Sequence, residues 1–264
     1  MTFTQPGGSA ALQQHAPAAA AAFLHLQSVR PAGLFDEVLA SAGVGAFADQ
    51  FRVDVTGIDE QVRAGFADAT GERQFDVAQM VWVGDAEVRL SAALDALFGQ
   101  STWPVVPRRV PIADVWALVE SFMAAVAHLH ALDPTTTELI RLRGARQHQC
   151  RICKSRRSAA AIEQGADESI FAAIDHYPDS DLSPLAKAAL ALVDAMIWTP
   201  TAIPDDVVTA VRTHLSDEEA IEVVLDVVRN SANKIAVALG ADAPEVTEGV
   251  QLFVTDADGV LTTV

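Results

Sequence analysis

Apolar residues recur at three- and four-residue intervals along nearly the whole of this 264-residue chain, and strand-like alternation is confined to fragments such as "FRVDV" at Phe51–Val55. Such a pattern can be buried only by laying helix on helix, so it predicts an all-α fold. The best-marked segment begins at Ser216. Ser216 and Glu219 have capping-box spacing, Ile221, Val224, Leu225, Val228, Ala232 and Ile235 form one stripe, and Gly240 supplies the stop. Asp133-Pro134, Ser183-Pro184 and Pro204-Asp205-Asp206 carry the start chemistry of three further helices. With half of its residues hydrophobic, the chain can fill a sizeable core.

Charge narrows the partners. The formal net charge is −17, so the overall field repels nucleic acid and anionic membrane, both of which are bound by neutralising phosphates with Lys and Arg. No apolar run reaches the roughly 18 residues of a membrane span, and the first residues lack the basic start and continuous apolar stretch of a secretory signal. These features predict a cytoplasmic protein that binds neither nucleic acid nor membrane.

Against that acidity stands "RLRGARQHQCRICKSRRS", Arg141 to Ser158. Here Arg141, Arg143, Arg146, Arg151, Lys154, Arg156 and Arg157 surround Cys150 and Cys153, the only two cysteines of the chain. A close pair of cytoplasmic cysteines points to redox or metal chemistry rather than to a disulfide framework. Nearby cations lower a thiol's pKa, and C-x-x-C spacing lets two sulfurs close a disulfide after one has reacted. A helix running from the cysteines to Gly165 would put Cys150, Cys153, Arg157 and, one turn earlier, Arg146 on one face, with Ile152, Ala159 and Ala160 turned inward. His148 would stand exposed before that helix. Three other readings stand beside the redox one. The thiols can be ordinary core residues; zinc would need His148 and distant histidines such as His176 or His214 to converge; a thioredoxin-like motif would need a strand before Cys150.

The stretch "ELIRLRGARQHQCRICKSRR" resembles the signature of the carboxymuconolactone decarboxylase and AhpD-like alkylhydroperoxidase superfamily, in which a Glu precedes the first Cys by twelve residues and a His follows the second by four. Glu138, Cys150 and Cys153 match at that spacing, and the similarity extends from near Pro111 to near Asp242. The resemblance implies a helical AhpD-like domain over 111–264 that needs no metal or organic cofactor and takes a hydroperoxide and an external thiol or dithiol reductant as its partners. It also implies a homo-oligomer. By that match Cys153 is the peroxidatic sulfur, Cys150 the resolving sulfur and Glu138 a relay carboxylate. Arg157 occupies the histidine position and cannot pass a proton, although it can hold a thiolate; His148 and Arg146 are the auxiliary candidates. Residues 1–110 form a second helical region. Its "AALDALFGQSTWPVVPRRVPIADV" echoes "AALALVDAMIWTPTAIPDDVVTA" and so raises the idea of a degenerate copy. The alternatives to peroxidase chemistry are a non-catalytic redox-sensing oligomer, or lactone chemistry of the carboxymuconolactone type, a branch that generally lacks the cysteine pair.

Overall fold

A computed structural model describes residues 6–28, 38, 40–104, 115–256 and 259–264, and these are overwhelmingly helical. The first half contributes α1 (Gly8–His15), α2 (Pro17–Gln27), α3 (Ala42–Val53), α4 (Glu60–Thr70) and α5 (Gln74–Phe98). The rest follows as α6 (Val115–Ala127), α7 (Pro134–Gln147), α8 (Arg151–Lys154), β1 (Arg156–Ser158), α9 (Ala159–Glu163), α10 (Glu168–Ala172), α11 (Pro184–Trp198), α12 (Asp205–His214), α13 (Asp217–Ser231), α14 (Asn233–Ala238), β2 (Gln251–Thr255) and β3 (Leu261–Thr263). The fold class is all-α, with one small sheet appended.

The local start signals act as the sequence predicts. Asp133 accepts hydrogen bonds from the Thr135 and Thr136 amides, Ser183 from that of Ala186, and Ser216 and Glu219 close a reciprocal capping box. The stripe from Ile221 to Ile235 is carried by two helices rather than one. Ser231 donates back to the Val228 carbonyl while its oxygen accepts from Trp82 Nε1, and the chain turns at Ala232 before α14 begins. A serine that bonds to its own preceding turn bends a helix in this way. Gly240, at φ +70°, ends α14 as expected. Two expectations are corrected. Phe51–Val53 is the last turn of α3, because Asp54 caps the following 3-10 turn by accepting from Thr56. The cysteine segment is also no continuous helix to Gly165: it forms α8, then β1, then α9.

Strand β1 pairs in parallel with β2, Arg157 opposite Leu252, and β2 pairs antiparallel with β3, Phe253 opposite Thr263. Helix α13 runs through the middle of the molecule, buried on every side from Ala220 to Val228, with α1, α5, α6, α7 and α11 packed around it. One apolar cluster therefore spans both halves of the chain, including Phe23, Trp82, Phe98, Phe122 and Leu225; a smaller one joins Leu139, Leu142, Phe171 and Leu190. The expected boundary at 110/111, Pro111 and most of the first Pro-bounded turn of the internal echo, from residue 105 on, lie outside the described residues. Within the core, Asp85 of α5 accepts from Arg89 Nε at 2.9 Å and from Lys234 Nζ at 2.7 Å. Arg89 also donates to the carbonyls of Met196 and Ile197 that end α11. Among the described residues no helix is long and apolar enough to cross a membrane.

The sheet is pressed closely onto α6. Gly259, between β2 and β3, has φ +77°, and a Cβ there would meet Ala124 Cα at 2.5 Å. Gly259→Ala is therefore expected to cost about 1–3 kcal/mol and to detach the hairpin. Urea unfolding and amide exchange at Leu261–Thr263 measure both effects, and unchanged exchange there would contradict the close approach.

Candidate functional site

Helix α7 ends at an abrupt turn that sets the cysteines. Gln149 adopts φ +52°, the only non-glycine in the left-handed region among the described residues, and the Cys150 amide reaches back to the Ala145 carbonyl at 2.9 Å. The Gln149 side chain steadies the turn, donating to the Arg146 carbonyl and accepting from Lys154 Nζ, both at 2.8 Å. Cys150 then caps α8 and is joined to Cys153 in a disulfide whose Cα atoms are 5.3 Å apart. Both residues are buried, at 1% and 5% exposure. Asp242, beyond α14, clamps α8 from the far side, accepting from the Arg151 amide at 2.8 Å and from its guanidinium at 2.6 Å. Burial pushes the Asp242 pKa up, but the Arg151 bonds outweigh it and hold the carboxyl below its ordinary value.

Glu138 is deeply buried on α7. Its two oxygens accept from Nε and Nη2 of Arg141 at 2.7 Å each, and Oε1 also accepts from the Ser158 amide at 3.2 Å. Arg141 in turn donates to the Cys153 carbonyl at 3.0 Å and to the Arg156 carbonyl at 2.8 Å, and stacks over Phe253. The arginine that reaches the cysteine loop is thus Arg141, not the two that a continuous helix would turn toward the sulfurs. Arg157 lies on β1, where the helical spacing no longer applies. Its fork grips Glu168 at 2.8 and 3.0 Å, and Nη1 donates to the Lys154 and Arg156 carbonyls. Arg146 bonds to Asp175 and the Phe171 carbonyl. Each arginine from 141 to 157 faces a carboxylate: Arg143 meets Asp194, Arg151 meets Asp242 and Arg156 meets Glu245.

His148 is buried rather than exposed. It lines a crevice of about 10 Å3 with Arg141, Cys150, Cys153, Asn230 and Asn233, room for about one water. Burial first, then the charges of Lys234 and Arg89, push its pKa down to about 3, so the imidazole is neutral beside the sulfurs. Lys234, itself lowered to about 8 by burial, sits over the Phe51 ring, and sequence reasoning missed it because it falls within an apolar stripe. Nothing local marks Asp226 either: on buried α13 its pKa is pushed up to about 7 by burial, and its Oδ2 makes no hydrogen bond among the described residues. The Glu138–Arg141 pair also borders a second, larger cavity of about 910 Å3. Among the described residues no three His, Cys, Asp or Glu side chains converge as a metal site would require.

An all-helical frame enclosing a buried C-x-x-C disulfide defines the class of molecule. The chain is 40% identical over 227 residues to the uncharacterized protein Rv2313c of Mycobacterium tuberculosis strain H37Rv, covering 83% of this chain and 80% of that protein. It matches the uncharacterized protein MT2376 of strain CDC 1551 to the same extent. Over 113 residues it is 30% identical to the uncharacterized protein YdfG of Bacillus subtilis, covering 42% of this chain and 77% of YdfG. The chain belongs to the family of these proteins. No family model matches it, and no solved structure matches it.

Two buried groups set opposing pH dependences. His148 is neutral when folded but takes a proton below its ordinary pKa of 6.5 when unfolded, so its contribution is lost as pH falls from 6.5 toward 3. Asp226 holds its proton up to about 7 when folded but only to 3.8 when unfolded, so its contribution is lost as pH rises across that interval. Relative to wild type, stability between pH 4 and 6.5 should therefore fall more steeply with rising pH in His148→Gln and rise more steeply in Asp226→Asn. Denaturant titrations at several pH values within that window measure the slopes, and parallel slopes in all three proteins would contradict these assignments.

Proposed function

We propose that the chain is a dithiol–disulfide oxidoreductase of the AhpD-like kind, acting on hydroperoxides. The observation that carries this reading is the closed Cys150–Cys153 disulfide at the end of α7, tied to the buried Glu138 through Arg141. In the reduced protein the Cys153 thiolate attacks the terminal oxygen of the hydroperoxide and breaks the O–O bond. The alcohol leaves with a proton, and the sulfur is left as a sulfenic acid. The Cys150 thiolate then attacks that sulfur, water departs once the hydroxyl is protonated, and the disulfide closes. An external dithiol supplies the two electrons that reopen it. Glu138 and Arg141 hold the loop through the Cys153 carbonyl, and His148 presents a neutral imidazole to the crevice beside the sulfurs. Arg157, bound to Glu168, orders β1 instead of passing protons. Because the crevice admits about one water, a peroxide, with at least two oxygens, reaches the sulfurs only as the loop opens.

Burial of both sulfurs also favours a second reading, a redox sensor in which reduction loosens α8 and, through β1, the C-terminal sheet. Lactone chemistry of the carboxymuconolactone type has no use for the cysteine pair. A homo-oligomer working in the cytoplasm, where thiol systems can re-reduce the disulfide, completes the proposal.

The test is stoichiometric. Reduced, folded protein freed of reductant receives one equivalent of hydrogen peroxide, and its thiols are counted. Loss of two thiols per equivalent is expected. Cys150→Ser should stop at a sulfenic acid trappable by dimedone, and Cys153→Ser should not react. Thiols that stay inert until the protein is denatured would rule out the peroxidase reading.

A further inference from the structure

The 910 Å3 cavity lies at the upper end of the range for small-molecule sites. Leu129 and Leu132 on the α6–α7 connection and Phe253, Val254 and Leu261 of the C-terminal sheet give it an apolar wall. Into it faces Arg229, from the last turn of α13. Among the described residues Arg229 is the arginine whose guanidinium has neither a hydrogen bond nor an ion pair, whereas neighbouring Arg141 is fully committed to Glu138 and two carbonyls. Burial pulls the Arg229 pKa down, the positive charge of Arg141 pulls it further, and Asp226 opposes both without bonding to it. A largely desolvated guanidinium without a partner is costly, and an anion that forms a bidentate pair with it removes that cost.

We propose that this cavity binds an organic monocarboxylate, its charged end on Arg229 and its apolar body along Leu129, Leu132 and Phe253. The single unpaired guanidinium matches a single negative charge. Asp133, Glu163 and Asp256 also line the cavity and oppose a doubly charged phosphate. Asn230 lines both this cavity and the disulfide crevice, so an occupant would lie one side-chain layer from the sulfurs. The site stands on its own geometry and does not depend on whether the disulfide is redox-active.

Octanoate, 1-octanol and octyl phosphate, titrated calorimetrically into the full chain, separate charge from apolar length. Octanoate is expected to bind at one site, roughly tenfold or more tighter than octanol, with octyl phosphate weaker than octanoate. Arg229→Gln should bring octanoate down to the level of octanol, and Arg229→Lys should recover part of the difference. Ala160→Trp, which leaves Arg229 in place and puts an indole into the cavity from an exposed wall position, should weaken binding of all three and guards against misfolding of the Arg229 variants. Absence of saturable octanoate binding would overturn the proposal. So would equal affinity for octanol, tighter binding of octyl phosphate, or octanoate affinity unchanged by Ala160→Trp.

Discussion

Glu138 has almost no contact with water, and a carboxylate in that position costs several kcal/mol unless its charge and lone pairs are met. Arg141 meets them through two parallel bonds, and the donors left over reach the carbonyls of Cys153 and Arg156. That one guanidinium thus fastens α7 to the cysteine loop and to the first residue of β1, while its flat face supports Phe253 on β2. Loss of Arg141 would leave a buried charge unmet and release the loop, the strand and the sheet together. The large cavity borders both members of this pair and the disulfide crevice borders Arg141, so Arg141 shapes both.

The answer to why an acidic chain concentrates arginines around its cysteines lies in pairing. Glu138, Asp175, Asp194, Asp242, Glu245 and Glu168 are spread over five segments of the chain, and each is met by an arginine of the 141–157 segment. The positive charge works as a set of clasps that gather carboxylates and carbonyls onto a stretch divided among the end of α7, the short α8 and β1. Exposed members such as Arg156–Glu245 contribute little energy singly, but buried bidentate ones such as Arg141–Glu138 fix geometry.

What the sequence made legible follows from what is local. Helix starts at Asp133, Ser183 and Ser216 are written in residues two or three positions apart, and all three form. Glu138 was singled out by the family resemblance alone, and no local signal foretold its burial against Arg141. The rest depended on distant partners. Nothing near Arg156–Ser158 announces a strand, because its partner is Gln251–Phe253. The helical wheel failed for Arg146 because the chain breaks at Gln149, where glutamine gives no warning of a left-handed turn as glycine or asparagine would, and for Arg157 because α8 ends at Lys154 and β1 follows. His148, Lys234 and Asp226 are the same kind of miss: their chemistry comes from burial by helices remote in sequence.

The parallel pairing of β1 with β2 carries a consequence for biosynthesis. The clamp from Asp242 onto Arg151 joins positions 91 apart, and Gln251 must cross the whole of α9–α14 to reach Arg156. On the ribosome, α7 and the cysteines emerge long before the residues that enclose them. Throughout that interval the two thiols of the nascent chain lack the enclosure that buries them in the finished protein. Enclosure of the site is thus among the last events of folding, as expected for contacts of such long range.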